Sequence, residues 1–242
     1  MLTERQKRLF REIPKAENHI HIEGSIPWGL ALQLAERNHV KLPYTTEEEM
    51  GKWAAKMIAD DGLNGFMLCD RTFNSVCLHE QDYEDVVLAL AKNDAEQNII
   101  YQELHLDYPL NEERGIPMEV VMEGYRSAQK KAKELYGVEI VYIGGIDRTL
   151  SSDQCLKFVQ KLEKYHDMVA GIGMDCEEKG HPCIKHLDSY LEAKRQGFFL
   201  TAHAGEDGSD QNIWDALLKL HVDRIDHGCR AAENPQLMQY LA

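Results

Sequence analysis

The chain has 242 residues, 43% of them hydrophobic and 28% charged, enough to bury a sizeable core, and no low-complexity tract or internal repeat points to disorder. Its 41 Asp and Glu outweigh 27 Lys and Arg, and the formal net charge of -14 argues against a nucleic-acid or anionic-membrane surface. No run approaches transmembrane length, the opening MLTERQKRLFREIPK lacks the apolar segment of a signal peptide, and six cysteines without a C-x-x-C pair leave cytoplasmic as the expected compartment.

From Pro14 onward, short apolar runs alternate with amphipathic stretches. The first expected strand covers residues 16–22. The connection that follows, to about residue 98, is too long for an ordinary βα unit, and apolar helical stretches at 30–37, 67–76 and 83–91 predict a helical insertion of the kind that forms lids. A second strand is expected at 99–106. Pro117 then opens a helix with Val120, Val121, Ala128, Ala132 and Leu135 on its apolar face, and Gly137 closes it. A third strand at 139–146 leads to a helix that begins at Ser151, where Gln154 three residues on forms a capping box, and runs through Leu156, Val159 and Leu162. The fourth strand, 168–174, precedes a helix carrying Leu187, Tyr190 and Leu191 and ending at Gly197. The fifth, 198–203, precedes one carrying Ile213, Trp214, Leu217 and Leu218, and the sixth covers 224–227.

Alternation of this kind builds a parallel sheet covered by helices, open and doubly wound or closed as a barrel. The polar residues favour the barrel, since they come from the first, fifth and sixth strands and must meet at one point. The expected class is α/β, a (β/α)8 TIM-barrel type with a helical insertion after strand 1. With about six parallel strands before Ala242 it is expected to be incomplete.

The chemistry lies where strands meet glycine turns. His19 and His21, in PKAENHIHIEGS, share one face of a strand, so two imidazoles converge and can take one metal ion with a third ligand from elsewhere. A chance H-x-H that merely hydrogen-bonds would be the ordinary explanation; Glu23 and Gly24 directly after it place this pair at a strand end beside an acid. His203 and Glu206, in TAHAGEDG, offer a strand-terminal imidazole with a carboxylate across a glycine turn, although Glu206 alone reads equally well as a helix N-terminal charge. His227, in RIDHG, repeats the arrangement, against the alternative of a satisfied core histidine. His39, His79, His166, His186 and His221 sit in polar or helical contexts; His105, at a strand end in ELHLDYP, and His181 are intermediate. Asp107, Asp147 and Asp175 also end strands, where each serves equally well as a cap for the following helix. The pieces His21-Ile22-Glu23 and Pro182-Cys183 imitate the H-x-E and P-C-x-x-C signature of cytidine-type deaminases, but the final cysteine is absent and the match is rejected. No nucleophile elbow, phosphate loop or dinucleotide glycine pattern is present.

Taken in order, PKAENHIHIEGS, TAHAGEDG and RIDHG resemble the adenosine/adenine deaminase family of metal-dependent amidohydrolases, from about Pro14 to the last residue. The resemblance implies a (β/α)8 barrel with one zinc ion per chain, held by His19, His21 and His203, and hydrolytic deamination of a 6-aminopurine in purine salvage. Glu206 would be the proton shuttle and His227 would orient and polarise the attacking water. Glu23, with His21, would face the substrate. Adenosine-specific members usually carry Asp where Glu23 stands, and GMDCEEKGHP and LAERNHVKLP look more like the adenine branch, so adenine is favoured over adenosine. Two departures stand out: ELHLDYPLNEERGI differs from the pattern after strand 2, and no Ser-Asp-Asp-Pro-like motif, which supplies the family's acidic metal ligand, follows His227. Residues 1–242 are therefore expected to form a single deaminase barrel domain lacking its C-terminal strands, with a purine as ligand and room for a homo-oligomer or a complementing chain. Two alternatives compete: a truncated, non-catalytic fragment, or an amidohydrolase acting on a modified purine nucleotide.

Overall fold

The computed structural model of the chain describes residues 2–242. Six strands run through it: β1 (Lys15–His21), β2 (Ile99–Leu106), β3 (Glu139–Asp147), β4 (Val169–Asp175), β5 (Phe199–Ala204) and β6 (Arg224–His227). In the sheet they follow one another in chain order, β1-β2-β3-β4-β5-β6. A barrel winds in this way, whereas a doubly wound sheet reverses at a switch point. The pairs β3–β4, β4–β5 and β5–β6 are parallel. The expected class is the one found: six parallel strands of a (β/α)8-type barrel.

Helix α1 (Glu4–Glu12) precedes β1, and α2 (Trp28–Arg37), α3 (Glu47–Asn74) and α4 (Glu80–Glu96) form the expected insertion between β1 and β2. After β2 come α5 (Tyr108–Glu113) and α6 (Met118–Tyr136), after β3 α7 (Ser152–Leu162), and after β4 α8 (Leu187–Gln196). The short α9 (Asp210–Asp215) runs on into a π turn at Ala216–Leu220, and α10 (Pro235–Leu241) follows β6. No helix among the described residues is long and apolar enough to cross a membrane.

Local chemistry explains most of these boundaries. Ser151 and Gln154 form both arms of the capping box that opens α7. Gly137 and Gly197 end α6 and α8 in the left-handed region, at φ of 72° and 86°. Helix α3 is longer than expected, 28 residues broken at Gly62. Its first half, EEEMGKWAAKMIADDG, buries Met50 and Ala54, too narrow a stripe for periodicity to reveal.

The chain forms two compact units, both discontinuous. The first runs up to Leu104 and includes Leu110–Val141; the second joins His105–Pro109 to Tyr142–Ala242. Within the first, α4 and α6 pack closely, with the Tyr83 and Tyr125 rings edge to face at 5.7 Å. Gly124 permits that approach, because a Cβ there would stand 2.5 Å from the Glu80 carbonyl oxygen and 2.8 Å from Tyr83 Cβ. Val121, Ala128 and Ala132 are buried as expected, but Leu135, one residue from the helix end, is exposed. Within the second unit, Ile143, Ile146, Ile172, Met174, Leu200 and Ala202 are buried along β3–β5, and Phe158, Val159 and Leu162 on α7. Both faces of a parallel strand are covered, so these runs are near-continuously apolar rather than alternating. Leu191 and Leu218 are exposed instead of joining the core.

Candidate active site

The first unit carries His19 and His21 on β1, two residues apart and therefore on the same face. Their Nε2 atoms lie 3.2 Å apart, with ring centroids 5.2 Å apart. Zinc held by imidazoles at about 2.0–2.1 Å in a tetrahedron sets neighbouring ligand nitrogens about 3.3 Å apart, so the pair has the spacing of one tetrahedral edge. Two neutral imidazoles sharing a proton would adopt the same separation; the donor chemistry suits zinc, and the distance admits it. Directly after β1, the chain turns through Glu23–Ser25 as a short 3-10 segment. Glu23 is buried there, and the Tyr125 hydroxyl donates to its Oε1 at 3.5 Å.

The second unit carries His203, Glu206 and His227. Register explains how residues from two strands meet: β5 and β6 pair with His203 opposite Asp226 and Ala204 opposite His227. Past Ala204 the chain turns at Gly205, φ 71°, where a Cβ would stand 2.6 Å from Ile213 Cδ1. That turn brings the Glu206 carboxylate back over the strand ends. Its Oε2 lies 3.7 Å from His203 Nδ1 and 3.4 Å from His227 Nε2, and the two rings meet edge to face at 4.6 Å. Each of the three offers a ligand atom within 4.8 Å of the others. His227 reaches this position from a left-handed backbone, φ 66°, a conformation uncommon outside glycine that gathers at functional sites.

His105 has a larger place than its sequence context suggested. It is fully buried, its ring 5.9 Å from that of His203 and its Nε2 3.9 Å from Asp226 Oδ2. Asp226 in turn accepts from Thr201 Oγ1 at 2.6 Å and from Arg224 Nε at 2.9 Å, fixing the carboxylate behind His203. Of the three strand-end aspartates, Asp147 is a turn cap, accepting from the Thr149 N–H and hydroxyl. Burial, followed by the charge of neighbouring Asp107, pushes the Asp175 carboxyl well above its ordinary value. His186 and His166 are structural, the first donating from Nε2 to the Arg148 carbonyl at 3.0 Å, the other stacked on Phe198 at 4.0 Å.

Sequence reading passed over Glu178. It lies in GMDCEEKGHP, a run singled out only for its likeness to the adenine branch, yet its buried carboxylate accepts from the backbone of the turn that carries Glu206. One of two adjacent glutamates in a polar loop carries no periodic signal, so no pattern in the sequence could single it out.

The adenosine deaminase family model matches residues 14–242. The adenine deaminase of Acinetobacter baylyi is 36% identical over 98% of this chain, which spans 70% of that protein. Among solved structures, the adenine deaminase of Arthrobacter aurescens superposes with a TM-score of 0.88 at 34% identity, covering 94% of this chain and 68% of its own. An amidohydrolase from B. ambifaria, whose crystal structure holds bound Zn, superposes with a TM-score of 0.88 at 25% identity, covering 100% and 66%.

Proposed function

Because the chain belongs to the adenosine deaminase family, we propose that it catalyses hydrolytic deamination of a 6-aminopurine, adenine ahead of adenosine, giving the 6-oxopurine and ammonia. One zinc ion would be held by His19, His21 and His203. When bound, it supplies the Lewis acidity that brings hydroxide within reach of neutral pH.

The observation that supports this reading most is the Glu206 carboxylate set between two imidazoles at the ends of β5 and β6. Replacing an aromatic amine by water needs a proton on the ring before attack, and a carboxyl in reach of N1 supplies it. Glu206 would deliver that proton, drawing electron density from C6, the carbon bearing the amine. His227, whose Nε2 lies 3.4 Å from the same carboxylate, would hold the attacking water in line. C6 then exchanges its amine for the water's oxygen, and the amine leaves as ammonia. Glu23 would face the base; relatives with 36% identity that are named adenine deaminase favour the free base over the nucleoside.

The test is ammonia release from adenine and from adenosine by the chain after chelation and again after zinc is restored. Release from adenine that disappears with chelation and returns with zinc is the expected result. No release from either purine would overturn the deaminase reading, whereas a preference for adenosine would overturn the choice of base alone.

A further inference from the structure

Glu178 lies beyond the C-terminal end of β4 and is 3% exposed. Its Oε1 accepts from the backbone N–H of Glu206 at 2.7 Å, of Asp207 at 3.2 Å and of Gly208 at 3.3 Å. Its Oε2 accepts from the Gly205 N–H at 3.0 Å and from the Asn212 side-chain amide at 2.5 Å. A bond returns, from the Glu178 N–H to Asp207 Oδ1 at 3.0 Å. Four successive amides thus converge on one carboxylate, an anion nest whose anion is a side chain of the protein itself. The buried Arg148 guanidinium stands 3.9 Å from Oε2 and also donates to the carbonyls of Asp175, at 3.0 Å, and His203. It ties the ends of β4 and β5 to the same centre.

We infer that Glu178 is the positioning residue for Glu206: it gathers the 205–208 turn around its carboxylate and fixes the point from which Glu206 acts. This inference rests on Glu206 as the proton carrier of the proposed reaction. Burial alone would favour a neutral Glu178, but the Asn212 amide, the turn amides and Arg148 outweigh it and hold the carboxyl below its usual range, so it stays an acceptor. The acceptor for these four amides is not local: Glu178 lies 27 to 30 residues before them in sequence. A local cap would satisfy the turn wherever it lay. A cap delivered from the end of β4 also sets where the turn lies relative to the strands, and a displacement of about 1 Å at a reacting group costs on the order of a hundredfold in rate.

Glu178→Gln keeps the size of the side chain but meets part of the nest with an amide that donates. The expected result is a kcat about a hundredfold lower, in line with such a displacement. KM for adenine and zinc content stay unchanged, and hydrogen exchange is faster at the 205–208 amides but not along β3 and β4. Glu178→Asp, which retains the charge one carbon short, recovers part of kcat. If E178Q lowers the unfolding midpoint while kcat per zinc-loaded site is unchanged, Glu178 is a stabiliser and the inference is overturned. If the unmodified chain releases no ammonia, the deaminase reading fails instead; if Glu206→Gln retains its rate, the assignment of Glu206 as proton carrier fails. Amide exchange then decides alone: acceleration confined to 205–208 upholds the positioning of the turn, and unchanged exchange overturns it.

Discussion

Asp94, on α4, shows what burial does to a carboxylate without donors of its own. It is 2% exposed, and burial, with a smaller contribution from the charge of Glu17, raises it from an ordinary 3.8 to about 7. The native state therefore holds its proton while the unfolded chain has already released it. Stability from this residue is full below 3.8, drains as pH rises through 7 and is gone above. Asp94→Asn removes that dependence, so the variant should resist urea better than the parent at pH 8 and not at pH 4. Parallel stability profiles between those values would show that another group titrates. Glu206 is the opposite kind of carboxylate, the one assigned to proton transfer in the proposed reaction. Glu206→Gln keeps the contacts to His203 and His227 but holds no transferable proton. Ammonia release should fall by about 10²–10⁴ with zinc content unchanged, and a variant retaining most of the rate would remove Glu206 from the mechanism.

Among the elements, the pairing of α4 with α6 is the tightest to test. Gly124→Ala places a methyl against the Glu80 carbonyl, which cannot rotate away as a side chain could. The helices must separate, at a cost of about 1–3 kcal/mol of overpacking, measurable as a lower urea midpoint without a change in slope. Elements with strong local chemistry were legible before any coordinates: the box of Ser151 and Gln154, the glycine ends at 137 and 197, and strands bounded by turns. The first half of α3 was not, because a helix that buries two residues leaves almost no period to read. Leu135, Leu191 and Leu218 were read as core and lie exposed, since the apolar stripe of a helix says where a face would pack but not how far its partner extends.

At the scale of the whole molecule, the motifs singled out His203 and His227, and the sheet register explains why these two meet, with His227 one position beyond the partner of His203. His105 and Glu178 stayed hidden, because each acts by where the fold carries it rather than by its neighbours in sequence. If His19, His21 and His203 hold zinc, the ion binds the native state and not the unfolded one. At a hundred times its dissociation constant it should then add about 2.7 kcal/mol of stability. His19→Ala and His21→Ala should each abolish the rise in melting temperature on adding zinc; an equal rise in both variants would place the metal elsewhere. The two units also have a history in time. Residues 105–109 are synthesised before any of residues 142–242, yet they belong with those later residues. The second unit cannot be finished as it is made. Its first strip must wait until more than a third of the chain has been synthesised after it. Slowing translation over that stretch would lengthen the wait without changing a single residue.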